Sequence, residues 1–111
     1  MKRGEIYFAA LDPARGAEIQ KTRPAVIVSN DAANRASSLV TVVPLTSTAT
    51  HVHPFEVKLA ARDTGLTKDS KAMAQQVRTI DKTRLGSLRK GFVPVTKMRQ
   101  IEDALRLHLA L

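Results

Sequence analysis

The chain has 111 residues, 18 of them Lys or Arg against 10 Asp or Glu, for a formal charge of +8 at pH 7. A chain of this length forms one domain, residues 1–111, and buries roughly 65% of its unfolded surface, so an active site must lie in a shallow groove or between subunits. The absence of cysteine excludes a disulfide framework, thiolate-bound zinc and thiol nucleophiles and suits a reducing cytosol, and no apolar run approaches the roughly 20 residues that span a bilayer.

Glu5 to Ala10 and Ala25 to Ser29 are short runs rich in Ile, Val, Tyr and Phe, and both read as strands. The polar segment Ala14 to Thr22 between them contains Gly16 and is longer than a tight hairpin, as expected of a functional loop. Pro24 holds Arg23 extended at its far end. Asn30 to Ser38 suggests a turn or a single helical turn. Leu39 to Pro44 is apolar on both faces apart from Thr41, the pattern of a strand buried from two sides. Phe55 to Leu59 alternates and reads as a strand, Thr64-Gly65 as a turn, and Lys71 to Val77 as a further strand in weak β formers. A short segment between Gly86 and Gly91 belongs at a sheet edge. Val95, Met98, Ile101, Leu105 and Leu109 then recur at helical spacing, so the last 15 or so residues form an amphipathic helix. The expected architecture is a small, strongly curved, barrel-like sheet with one helix packed on it.

Between Arg78 and Arg99 seven basic residues face one acid, Asp81, so this stretch carries +6 of the +8 and reads as a patch. An ordinary folded composition, 43% hydrophobic and 25% charged, leaves an anionic partner as the reason for the charge, nucleic acid first, with a plain solvated basic surface as the alternative. Aromatic residues are only 4% of the chain (Tyr7, Phe8, Phe55, Phe92), a poor supply for base stacking. His51, His53 and His108 lack metalloprotease spacing and an accompanying carboxylate cluster, so no metal site is expected. The chain has neither a phosphate-binding glycine loop nor a nucleophile elbow. The remaining polar groups are those of the loop and of the strand exit: Arg23 as a fixed planar cation, the hydroxyls of Thr46 and Ser47, and the carboxylate of Glu18 as a base or an orienting group. Metal-free RNA cleavage needs such parts, because a 2′-hydroxyl must lose a proton, the phosphorane must be neutralised, and the 5′-oxygen must gain a proton.

Eight segments in order carry a resemblance: Arg3-Gly4-Glu5-Ile6-Tyr7, Leu11-Asp12-Pro13, Gly16-Ala17-Glu18, Thr22-Arg23-Pro24-Ala25-Val26, Ser29-Asn30-Asp31, Val43-Pro44-Leu45-Thr46-Ser47, Pro54-Phe55-Glu56-Val57 and Gln76-Val77-Arg78-Thr79-Ile80-Asp81. Together, and nearly end to end, they resemble the MazF/PemK (Kid) toxins of type II toxin-antitoxin modules. The resemblance implies a mainly β SH3-like small barrel with short helices and a C-terminal α-helix, the fold also found in CcdB. It implies a homodimer, a metal-independent and cofactor-free endoribonuclease acting on single-stranded mRNA in the cytoplasm, products with 2′,3′-cyclic phosphate and 5′-hydroxyl ends, and inhibition by the acidic C-terminal segment of a cognate antitoxin. By position it assigns Arg23 to the scissile phosphate and leaving oxygen, Thr46 to the same phosphate, and Glu18 to a base or loop-organising role. Lys21, Ser47, Gln75, Gln76 and Arg78 fall along the RNA groove.

Two departures stand out. Gln75 replaces a carboxylate that many members carry, so Gln75→Glu is expected to leave or raise activity. Ile19-Gln20-Lys21 replaces the family's Gln-Gly-Gly, so the loop should be less flexible. A gyrase poison of the CcdB kind, without a catalytic site, and an inactive RNA-binding dimer are the rival readings.

Overall fold

In the computed structural model, which describes residues 1–48 and 50–111, the two-residue alternation of the strands divides the interior in two. Strand β1 (Glu5–Ala10) sends Ile6 to one cluster and Tyr7 and Ala9 to another. Strand β2 (Thr22–Ile27) does the same with Val26 against Ala25 and Ile27, as does β3 (Leu39–Thr46) with Val43 and Leu45 against Val40 and Val42. Successive side chains of a strand point to opposite faces, so a sheet with apolar residues at every position must be covered on both. The expected helix, α3 (Val95–Leu109), covers the first cluster through Met98, Ile101 and Ala104. Val95 and Leu109, expected in its apolar stripe, are exposed.

Helix α1 (Asp31–Ala36) follows β2, capped by Asn30, whose side chain accepts from the Ala33 N–H at 2.8 Å. Strands β4 (Glu56–Leu59), β5 (Ser70–Met73), β6 (Arg78–Asp81) and β7 (Gly91–Phe92) complete the curved sheet, with β1, β2, β3, β5 and β4 as antiparallel neighbours in that order and β7 on the outer edge of β1. Helix α2 (Ala61–Thr64) is a single turn ended by Gly65 at φ +82°. The segment expected at a sheet edge lies along β1, where Gly86 N–H donates to the Phe8 carbonyl and Lys90 N–H to the Ile6 carbonyl, each at 2.8 Å, before the β7 ladder itself at Gly91–Phe92. A Cβ at Gly91 would collide with the Thr64 carbonyl oxygen, so only glycine lets β7 lie this close to α2.

Strand β3 changes partner along one edge, pairing through Leu39–Val42 with β6 and through Leu45–Thr46 with β5. Pro44, which has no N–H to offer a ladder, lies at the changeover. The continuous strand expected from Lys71 to Val77 is therefore interrupted. Ala74–Gln76 form a 3-10 turn that steps the chain from β5 to β6.

Candidate active site

The β2–β3 register pairs Ala25 with Pro44, and carrying that antiparallel pairing two residues onward sets Arg23 level with Thr46. Both are half-buried, and with Ser47 they line one open cavity of about 420 Å³ at the ends of the strands. Its lining also includes Phe8, Pro24, Leu45 and Leu66, two further cations, Lys68 and Lys90, and no carboxylate. Among the described residues Arg23 spends only its Nε, on the Gln20 carbonyl at 3.1 Å, which leaves the outer guanidinium nitrogens for a ligand. Thr46 Oγ1 accepts from the Thr48 N–H at 3.3 Å. A planar cation and a hydroxyl on neighbouring strands, with no competing anion in the lining, make a site for a phosphate.

The other predicted site residues gather elsewhere. Glu18, Gln75, Gln76 and Arg78 line a second depression with Arg15, and their hydrogen bonds go largely to the protein itself. Glu18 accepts from the Arg15 N–H at 2.6 Å, closing a turn in the β1–β2 loop, and lines this depression, not the Arg23 cavity. Gln76 grips the same loop twice, accepting from Ile19 N–H and donating to the Ala17 carbonyl, each at 3.2 Å. Arg78 donates to the Leu11 carbonyl at 3.2 Å. These residues hold the loop before they meet any ligand. Lys21 lines neither concavity: its N–H donates to Asp12, its carbonyl accepts from Leu11, and its φ of +67° occupies a left-handed position that suits the family's glycine. Gln76 tethers this loop, and Ile19 packs against the second core cluster.

Gln75 turns inward. Its amide nitrogen donates to Glu56 Oε2 at 2.7 Å, and Glu56, with its side chain 2% exposed, also pairs with Lys71 at 3.0 Å and accepts from the His53 N–H. Burial works against ionisation of Glu56, but the His53 N–H, the Gln75 amide and the Lys71 ammonium outweigh it and hold the carboxyl below the usual range. The Gln75 carbonyl oxygen is buried without a hydrogen-bond partner among the described residues.

The charge between Arg78 and Arg99 is not one patch in space. Arg78 and Arg84 donate to backbone carbonyls of the β1–β2 loop region, Lys82 to the Asn34 carbonyl, and Arg89 pairs with Glu5 at 3.4 Å. Arg99 borders a separate hollow with Arg3 and Glu102, while Lys90 reaches the Arg23 cavity. Lys68 escaped the sequence reading, and Lys90, counted in the basic run, and Phe8, counted among the aromatics, were not joined to Arg23 because no local pattern links them to it. The three histidines collect around Phe55, His53 stacking on it at 5.0 Å and His108 lying 6.4 Å away. Among the described residues no group of three or more His, Cys, Asp or Glu side chains stands where it could hold a metal ion, and no helix is long and apolar enough to cross a membrane.

Comparison with known proteins places this geometry. Residues 2–109 match the family described as PemK-like, MazF-like toxin of type II toxin-antitoxin system. The endoribonuclease MazF9 of Mycobacterium tuberculosis (strain ATCC 25618 / H37Rv) is 49% identical over 117 aligned positions that cover 100% of this chain and 98% of that protein. Among solved structures, a mycobacterial endoribonuclease in complex with its cognate antitoxin superposes with a TM-score of 0.81 at 32% identity, covering 100% of this chain and 96% of that one. MazF from Deinococcus radiodurans gives a TM-score of 0.86 at 26% identity, covering 100% and 97%. With its curved sheet and C-terminal helix, the chain belongs to the PemK-like, MazF-like toxins of type II toxin-antitoxin systems.

Proposed function

We propose that this toxin is a metal-independent endoribonuclease that cuts single-stranded mRNA at specific sequences, with Arg23 and Thr46 at the reacting phosphate. The observation that carries the reading is the convergence of those two side chains, from paired strands, in a cationic cavity whose lining has no carboxylate. In the cleavage step the 2′-oxygen bonds to phosphorus as the bond from phosphorus to the 5′-oxygen breaks. The 2′-hydroxyl proton passes to water in the open cavity and returns through water to Arg23, whose own proton goes to the departing 5′-oxygen, giving 2′,3′-cyclic phosphate and 5′-hydroxyl ends. Arg23 neutralises the charge that builds on the phosphorane and supplies the proton to the leaving oxygen, while Thr46 and Ser47 hydrogen-bond the non-bridging oxygens. Glu18, Gln76, Arg78 and Lys21 act by shaping the loop beside the groove.

A homodimer fits a chain too small to enclose a substrate by itself, and the acidic C-terminal segment of a cognate antitoxin would be drawn to the same cations, competing with RNA. Both partners and the substrate place the protein in the cytoplasm. A gyrase poison has no use for a cavity of this chemistry.

Incubation with a long single-stranded RNA in EDTA tests the reading. Discrete products with cyclic phosphate ends, absent with Arg23→Ala, are expected; RNA left intact by the wild type would overturn it.

A further inference from the structure

The Arg23 cavity is larger than a phosphate needs. Its volume of about 420 Å³ lies within the roughly 300–1,000 Å³ of pockets that hold small organic ligands, and beyond the polar groups at Arg23 and Thr46 the lining turns apolar through Pro24, Leu45 and Leu66. At that end Phe8, 39% exposed, faces the cavity from β1 directly opposite Pro24, one strand over and one residue along from Arg23. Lys90 holds its ammonium 5.4 Å from the centre of the Phe8 ring, and its N–H is anchored on the Ile6 carbonyl at 2.8 Å. An exposed ring beside an apolar surface, with a cation over it on a long flexible side chain and a phosphate site in the same lining, has the make-up of a nucleotide seat: the base packs on the ring as the cation swings to an outer phosphate oxygen.

We infer that Phe8 and Lys90 form a specificity subsite for the nucleotide adjoining the cleaved bond, its base against Phe8 and the apolar lining, its outer phosphate on Lys90. The inference rests on the cleavage reading above and adds to it a determinant of which sequence is cut. The low aromatic content argued against an extended stacking platform, but one ring beside the reacting phosphate is enough for one base.

The test uses an RNA oligonucleotide carrying the sequence mapped from the 5′-hydroxyl ends of a long digest, intact or with an abasic residue on either side of the cleaved bond. Wild type should lose more than tenfold in kcat/KM on one of the two abasic oligonucleotides. Phe8→Leu should lose a similar factor on the intact oligonucleotide and nothing more on the abasic one, whereas Phe8→Tyr, which keeps the ring, should retain the abasic sensitivity. Losses that multiply, or a Phe8→Leu enzyme within twofold of wild type on intact RNA, would overturn the subsite while leaving cleavage in place. The exposed Lys90→Gln change should lower the slope of log kcat/KM against log salt by about 0.7, the value for one phosphate contact on a single strand; an unchanged slope would remove Lys90 from the site. RNA untouched by the wild type would overturn the cleavage reading and the subsite with it.

Discussion

Two concavities of this molecule are lined by similar polar residues and do different things with them. In the Arg23 cavity the guanidinium makes a single bond to backbone, and Lys68 and Lys90 face the same space without a carboxylate in the lining. In the neighbouring depression Glu18, Gln76 and Arg78 are committed to loop backbone, and Gln75 to a buried carboxylate. Residue type therefore does not separate a reacting group from a scaffold group. Hydrogen-bonding capacity left over in a lining without a carboxylate does: Arg78, like Arg23, gives one N–H to a backbone carbonyl but shares its depression with Glu18, and a donor satisfied within the protein or set beside an anion gains little from a substrate oxygen.

The sharpest way to break the distinction is Arg23→Ala. Removal of one charge-stabilising donor from a reacting centre costs on the order of 10² to 10³ in rate, about 2.7–4 kcal/mol. The variant should lose that much kcat in a single-turnover RNA cleavage assay while its thermal midpoint barely moves. A loss of stability as large as the loss of rate would place Arg23 with the scaffold groups.

Gln75→Glu, expected from sequence to leave or raise activity, should carry a cost in stability. A carboxylate at this position would meet Glu56 where the amide now donates at 2.7 Å, and two buried like charges at that range force one to take up a proton. The variant should be about 3 kcal/mol less stable at pH 7, the lower end of the range for an unpaired buried charge, and should recover as the pH falls toward 5 and the shared proton restores a donor. The wild type should show the opposite slope. Because the folded-state pKa of Glu56 is lowered, its contribution is complete at neutral pH and is lost as the pH drops below the ordinary glutamate value of about 4.3. Urea midpoints followed against pH check both slopes, and parallel curves would show that Gln75 and Glu56 are not coupled.

Gln76→Ala probes the scaffold side. With Ile19 N–H and the Ala17 carbonyl released, amide exchange at Ile19 should quicken and kcat/KM fall by about tenfold, or 1.4 kcal/mol, as the loop beside the groove loosens. A loss matching that of Arg23→Ala would move the second depression into the chemistry.

How far this division could be read in advance depended on how local its causes were. Strand β1 was legible because Ile6, Tyr7 and Ala9 carry β-forming or small side chains in an unbroken run, and α3 because Met98, Ile101 and Leu105 keep helical spacing. Strand β6 went unread from pattern because Arg78-Thr79-Ile80-Asp81 has one apolar residue, and its pairing with β3 supplies what local propensity lacks. Arg23 and Thr46 could be proposed together from their resemblance to a family, and strand register is what joins them. Phe8 and Lys90 lie far apart in sequence with no periodicity between them, so only the fold could bring them to Arg23. The run of positive charge misled for a related reason: consecutive strand and loop residues face different ways, so that four of the seven side chains are directed to backbone carbonyls or to Glu5.

The smallest expected effect concerns a residue that lies in the first concavity yet belongs to neither class. Ser70 lines the Arg23 cavity from β5, but its hydroxyl is buried and has no hydrogen-bond partner among the described residues. A buried hydroxyl without a partner costs on the order of 1–3 kcal/mol relative to water, while Ser and Ala differ little in volume. Ser70→Ala should therefore stabilise the protein by about 1 kcal/mol, raising its thermal midpoint by about 4 °C. A fall in the midpoint instead would mean that the hydroxyl is satisfied in solution, and Ser70 would then join Gln76 as a structural tether. A rise accompanied by weaker RNA binding would mean that the unused hydroxyl is kept, at a cost in stability, for the substrate, which would extend the rule of leftover capacity from Arg23 to the floor of its cavity.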